Sequence, residues 1–138
     1  MGAPAHSRGT LPRALLRATV MPRDTQDAED LLFGLCLTSL REIEAGDVPP
    51  NLYTAGVRYE REPRFREYWQ SAQQTYQLRK GDCEDLSIWL CAYRWHLGED
   101  TARAVIRDVR PGLKHCVVQR ADGSIEDPSK ALGMKGKG

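Results

Sequence analysis

The chain has 138 residues, room for one domain around one buried core and too few for two independent ones. Lys and Arg (20) nearly balance Asp and Glu (19), so the net charge of +1 provides no global field to draw the chain onto nucleic acid or anionic lipid. No apolar run approaches the roughly 18 residues of a membrane span and no secretory signal core is visible, which sets the expectation of a soluble cytoplasmic product without a membrane partner.

Residues 1–23 carry Arg8, Arg13, Arg17 and Arg23 with Pro4, Pro12 and Pro22 and no acidic residue, and read as a loosely ordered Arg-rich arm. Within it, 11–20 can wind a short amphipathic helix; an Arg-rich, acid-poor start also looks like a transit peptide, and Met21 is a possible alternative start. A single domain is expected over 24–134, with a flexible Gly-Lys tail at 135–138. Its first element is a helix over 24–46: Asp24 or Thr25 caps it, acidic residues fill its first turn, and Gly46 with Pro49 and Pro50 stops it. Leu32, Leu35, Leu40 and Ile43 form its apolar stripe, widened by Phe33 and Leu37, and Cys36 inside that run reads as a small core residue.

From 48 to 79 the pattern is irregular and rich in rings, with a short strand expected over 57–60 and a short helix over 63–70 that starts on a proline. This aromatic stretch is either a loop glued to the core or the wall of a substrate groove. A second strong helix spans 82–97, with Asp82 at the cap, Asp85 as its capping-box partner and Gly98 at its end. Leu86, Leu90, Tyr93 and Leu97 form one face, widened by Trp89. The period then changes to that of strands over 102–109 and 115–119, followed by a hairpin signal at Ala121-Asp122-Gly123 and a strand over 124–126. Two helices followed by an antiparallel hairpin make the chain α+β. The four cysteines are too few and too irregularly spaced for a disulfide framework and read as free thiols.

A nucleophilic thiol works as a thiolate, and the first turn of a helix favours negative charge through its unsatisfied N–H groups and dipole. Cys83 directly follows the cap residue and has that address, with its own N–H placed to donate to an oxyanion. Asp82, Glu84 and Asp85 crowd the same turn and raise the thiol pKa unless a cation offsets them; protonated His115 is the natural cation, with Arg79 and Lys80 lesser contributors. His6 lies in the arm and His96 near the end of the second helix, so only His115 is placed to face the helix start. If 121–123 form a three-residue loop with Gly123 left-handed, Arg120 pairs with Ser124 and Val117 lies opposite Asp127, which makes His115 and Asp127 diagonal neighbours on one face. A two-residue Asp122-Gly123 turn would put them on opposite faces.

These residues carry a resemblance. Gly81-Asp82-Cys83-Glu84-Asp85-Leu86, Ala102-Arg103-Ala104-Val105, His115 with Val117-Val118, Asp122-Gly123 and Asp127-Pro128-Ser129 are similar to the transglutaminase-like cysteine peptidase superfamily. Tyr53, Gly56-Val57-Arg58-Tyr59, Glu62-Pro63 and Leu132-Gly133-Met134 extend it toward small members encoded by tailed phages and prophages, so that it covers residues 48–134. The resemblance implies a papain-like α+β fold, a central helix starting at the Cys and packed on a small antiparallel sheet, here with an additional N-terminal helix. It implies a cysteine hydrolase or acyltransferase of peptidase, deamidase, amidase or transglutaminase type, acting on a protein or peptide amide, without cofactor or metal. Residue by residue, Cys83 would be the nucleophile, His115 general base and then acid, and Asp127 the group that fixes the imidazole tautomer. Gln77, six positions before Cys83, has a spacing similar to the papain oxyanion glutamine, with Gln73, Gln74 and Trp69 as competitors. Tyr53, Tyr59 and Trp69 are the groove candidates. A zinc site from Cys83, Cys91, His115 and Cys116 matches no common ligand spacing. The alternative is a non-catalytic binding or structural module in phage assembly, which would place the chain in a host cytoplasm or a virion.

Overall fold

The computed structural model describes residues 17–19, 25–61, 68–111 and 113–135. Helix α1 (Thr25–Glu44) turns Ala28, Leu32, Leu35, Cys36 and Ile43 inward, and this stripe packs against helix α3 (Cys83–His96). Phe33 and Leu37 do not widen the stripe: they are 40% and 38% exposed. Each follows a buried residue by one position, a rotation of about 100° that carries it past the covered arc. Phe33 instead meets the edge of the Trp95 ring at 5.4 Å, beneath the Arg103 guanidinium. The helix ends at Gly46 in a left-handed conformation (φ +82°), with the Asp47 N–H reaching back to the Glu42 carbonyl at 2.9 Å.

A 3-10 turn (Leu52–Thr54) leads into β2 (Arg58–Tyr59), which runs parallel to β4 (Lys80–Gly81) and realises the short strand expected over 57–60. The helix expected over 63–70 is not present at its described end, since Tyr68–Gln70 is strand β3, antiparallel to β1 (Arg17–Thr19). Ring-bearing Tyr68 and Trp69 suit a pleated strand. The Gln70 N–H, which a helix would aim at the carbonyl four residues back, donates to the Asp85 carboxylate at 3.1 Å. Residues 62–67 lie outside the described residues, as does the arm apart from 17–19, where the possible helix over 11–20 gives way to β1.

Helix α2 (Ala72–Leu78) is an element the sequence pattern does not announce. Its first donors are capped from α1: Ser39 Oγ accepts the Ala72 N–H at 2.9 Å and Glu42 Oε1 accepts the Gln73 N–H at 2.8 Å. Glu42 Oε2 also accepts the Ser71 hydroxyl at 2.7 Å, so a buried carboxylate sits where the α2 dipole favours it. Arg79 closes α2 in the left-handed region (φ 62°), held by its N–H on the Thr75 carbonyl and its guanidinium on the Ala55 carbonyl and over the Tyr76 ring.

Leu86, Ile88, Trp89, Leu90, Cys91 and Ala92 of α3 are all fully buried, so this helix is enclosed on nearly every side and organises the core. Each large side chain there contributes about 1.5–3 kcal/mol of burial. Leu97, expected on its apolar face, is 57% exposed because the helix ends at His96 and the chain has turned away. Strands β5 (Arg103–Arg110), β6 (Leu113–Gln119) and β7 (Ile125–Glu126) form an antiparallel sheet in that order, with α3 against β6 and α1 against β5. Helix α4 (Pro128–Ala131) follows β7. The described residues thus form a mixed α+β structure of four helices and three small sheets, in which no helix is long and apolar enough to cross a membrane.

Candidate active site

The start of α3 is built to a tight specification. A Cβ at Gly81 would lie 2.8 Å from Asp85 Cβ and 3.1 Å from Thr75 Cγ2, so only glycine lets β4 pass this close to the helix. Asp85 is buried; its Oδ2 accepts the Asp82 N–H at 3.2 Å, its Oδ1 accepts the Gln70 N–H, and its own N–H donates to Asp82 Oδ1 at 3.4 Å. This reciprocal capping box, cross-linked to β3, fixes Cys83 as the first residue of the helix.

Strand β7 pairs only with Val118 and Gln119, so it does not reach the backbone of Cys116 on the same edge of β6. Helix α3 meets that edge instead. Ser87, one turn after Cys83, donates its hydroxyl to the Cys116 carbonyl at 3.1 Å, and the Cys116 backbone is near enough to favour the Cys83 thiolate. Cys83 is thereby anchored beside the residue that follows His115. The Cys116 side chain points into the core, as alternation along the strand requires when His115 faces the other way.

Turn chemistry then delivers the third residue. Gly123 is left-handed (φ +90°) and its N–H donates to the Arg120 carbonyl at 2.9 Å, while the Arg120 N–H donates to the Ser124 carbonyl at 2.7 Å. This is the three-residue bulged loop; Val118 faces Glu126, and one step on Asp127 falls opposite Val117, the diagonal neighbour of His115 on the same face. His115 Nε2 and Asp127 Oδ2 lie 2.9 Å apart, with side chains 16% and 17% exposed, sheltered yet reachable. Asp127 Oδ1 separately accepts the Ser129 and Lys130 N–H groups and caps α4. Burial alone would raise the Asp127 carboxyl, but the hydrogen bond and charge of His115, together with those backbone donors, hold it below the ordinary aspartate range. An ionised carboxylate only accepts, so Nε2 carries the proton and Nδ1 remains for another partner.

Electrostatics at Cys83 favour the thiol. Burial, then Glu84, Cys116 and Asp82, push it well above its ordinary value, and the Cys116 backbone only partly opposes them. The two lesser cations named as possible offsets are engaged elsewhere: Arg79 on Ala55 and Tyr76, and Lys80 with Glu60 at 2.9 Å. No hydrogen bond joins the Cys83 sulfur to the His115 ring among the described residues.

The remaining candidates separate. Tyr59 pairs with Gly81 across the strands, two residues before Cys83, and its hydroxyl is raised by burial and then by Cys83. Tyr53 donates its hydroxyl to Glu126 Oε2 at 2.7 Å. Trp69 is only 3% exposed and belongs to the core, so its ring offers no open groove surface. Gln77 lies on the exposed face of α2, without a hydrogen bond to Cys83 among the described residues. Ser87 and Glu126 shape the site without having been singled out in the sequence, and Gly81, quoted there as part of a motif, does so by its close approach to the helix. The close approach at Gly81 had a signal, a glycine directly before a capping box; Ser87 and Glu126 had none before the sheet register was known.

Among the described residues no group of three or more His, Cys, Asp or Glu side chains is placed to hold a metal ion. A cavity of about 280 Å³ opens elsewhere, between α1, α3 and β5, lined by residues such as Glu29, Phe33, Trp95 and Arg103 and by none of Cys83, His115 or Asp127. Comparison with known proteins finds no matching family model, no matching curated protein and no matching solved structure.

Proposed function

We propose that the chain is a cysteine-dependent acyl-transfer enzyme of the transglutaminase-like, papain-like kind, with Cys83 as nucleophile, His115 as general base and acid, and Asp127 as orienter. The observation that carries the reading is the 2.9 Å His115–Asp127 contact on the strand whose next residue, Cys116, is tied by Ser87 to the helix that starts at Cys83. In this reading Cys83 rests as a thiol. An amide carbonyl bound against Cys83 is attacked as the S–H proton passes to His115 Nδ1, and the imidazolium is stabilised through Nε2–H by Asp127. The C–N bond breaks as the imidazolium returns that proton to the departing amine, leaving a thioester on Cys83. Water or a second amine, deprotonated by His115, then attacks the thioester carbonyl; the C–S bond breaks, the acyl group leaves on the new nucleophile, and the imidazolium returns the proton to the Cys83 sulfur. The Cys83 backbone N–H at the helix start is the donor for the oxyanion, and Tyr59 flanks the bound carbonyl. Peptide and protein amides are the substrate class the chemistry fits.

A second reading, a non-catalytic module on the same scaffold, is favoured by the thiol being pushed up by burial and then by its acidic neighbours. The two part on whether His115 controls Cys83. Alkylation of Cys83 by iodoacetamide must depend on His115 in the first reading and be indifferent to it in the second.

A further inference from the structure

Strand β7 is two residues long and offers little backbone pairing of its own, yet it must deliver Asp127 to His115. What holds it is the side chain just before. Glu126 takes three bonds from the guanidinium fork of Arg94 on α3 (2.9 Å to Oε1 and 3.0 Å to Oε2 from Nη2, 3.1 Å to Oε1 from Nε) and the Tyr53 hydroxyl at 2.7 Å. Arg120, at the start of the hairpin loop, adds a longer contact at 3.4 Å and forks onto Glu99, which also accepts the Ala121 N–H at 2.8 Å. Arg94 and Glu126 are 18% and 21% exposed, sheltered enough for a charge-assisted fork to hold a geometry rather than fray in water.

We propose that Glu126, gripped by Arg94 and Tyr53, is the positioning residue that sets where the Asp127 carboxylate meets His115. Successive side chains of an extended segment point to opposite faces, so fixing Glu126 toward α3 and the 3-10 turn directs Asp127 toward the His115 face. Tyr53 thus acts through Glu126 and not as a groove wall. The proposal rests on the reading of Cys83, His115 and Asp127 as a reactive site for its consequence, but not for its geometry.

The test follows the His115 Nε2 proton by NMR, measuring its exchange with water in the intact chain, Glu126→Gln and Tyr53→Phe. Couplings of the size found within one hydrogen-bond network predict exchange roughly tenfold faster in both variants, with protection of the β5–β6 amides retained. Tyr53→Phe removes one hydroxyl and carries the test if Glu126→Gln does not fold. Unchanged exchange alongside a lowered melting temperature would overturn the proposal and leave Glu126 a purely structural tie. Faster exchange combined with Cys83 alkylation that ignores His115→Ala would uphold the clamp and sink the catalytic reading instead.

Discussion

Gly81→Ala is the sharpest probe of how the site is built. The new methyl would meet Asp85 Cβ at 2.8 Å, Thr75 Cγ2 at 3.1 Å and Asp85 Oδ2 at 3.3 Å. Neither neighbour can withdraw freely: Thr75 is fully buried on α2, and the Asp85 carboxylate holds the Asp82 and Gln70 N–H groups. Relief therefore requires overpacking strain of about 1–3 kcal/mol or loss of the capping box at about 1 kcal/mol, and with both engaged a total of about 2–4 kcal/mol. For a chain of this size that is a fall in melting temperature of roughly 10 °C. Gly34→Ala is the internal control: nothing lies within 4 Å of its Cβ position in the middle of α1, so the same change there should stabilise by about 0.5–1 kcal/mol. Urea unfolding of the two variants beside the intact chain measures both. A loss below about 0.5 kcal/mol for Gly81→Ala, or a shift of the same sign in both variants, would refute the claim that Gly81 is required by the close approach of Asp85.

Two pH effects follow from the same electrostatics. The Asp127 carboxyl has a folded pKa below its unfolded one, so it contributes stability above the ordinary aspartate range that is lost as pH falls through the depressed value. Acid unfolding of Asp127→Asn should therefore start from a less stable protein at neutral pH and show a shallower decline below about pH 4; parallel curves would contradict this. Cys36, Cys83 and Cys116 are all raised, chiefly by burial, so each contributes stability that is complete below the unfolded thiol pKa and drains away as pH climbs toward the folded value. Stability should fall by up to about 1.4 kcal/mol per pH unit per thiol above about pH 8.5, and Cys83→Ser should remove one share of that slope; an unchanged slope would mean Cys83 is solvated in the fold.

Where the signal was local, the sequence already held the answer. Helices α1 and α3 followed from apolar period and capping residues, and a hairpin turn was legible at Ala121-Asp122-Gly123; that the loop has three residues, the condition for Asp127 to approach His115, needed the coordinates. Elements fixed by distant partners were not readable. Helix α2 depends on Ser39 and Glu42 from another helix, and β3 depends on Arg17–Thr19 and on Asp85, contacts that no window of neighbouring residues contains. Exposure failed at edges for a related reason: Phe33, Leu37 and Leu97 fit the apolar pattern, but whether a partner covers a given arc is a tertiary fact. Trp69 fell on the other side of the same uncertainty, a ring in an irregular stretch that turned out to be core. Glu126 and Arg94 look like ordinary surface charges in the sequence and become a clamp only once the hairpin register sets them against each other.

The reactivity of Cys83 under the control of His115 is the point on which the functional reading stands. Cys36, Cys91 and Cys116 are each at most 1% exposed, so faster labelling of Cys83 by itself reports access and not activation. The decisive quantity is the rate of Cys83 alkylation by iodoacetamide, mapped by peptide mass spectrometry from pH 6 to 10 in the intact chain and in His115→Ala. A base acting on a raised thiol predicts labelling at least about tenfold faster in the intact chain near pH 7, with the gap closing as rising pH ionises the thiol in both. Equal rates across the whole range would contradict the assignment of Cys83 and His115 as nucleophile and base.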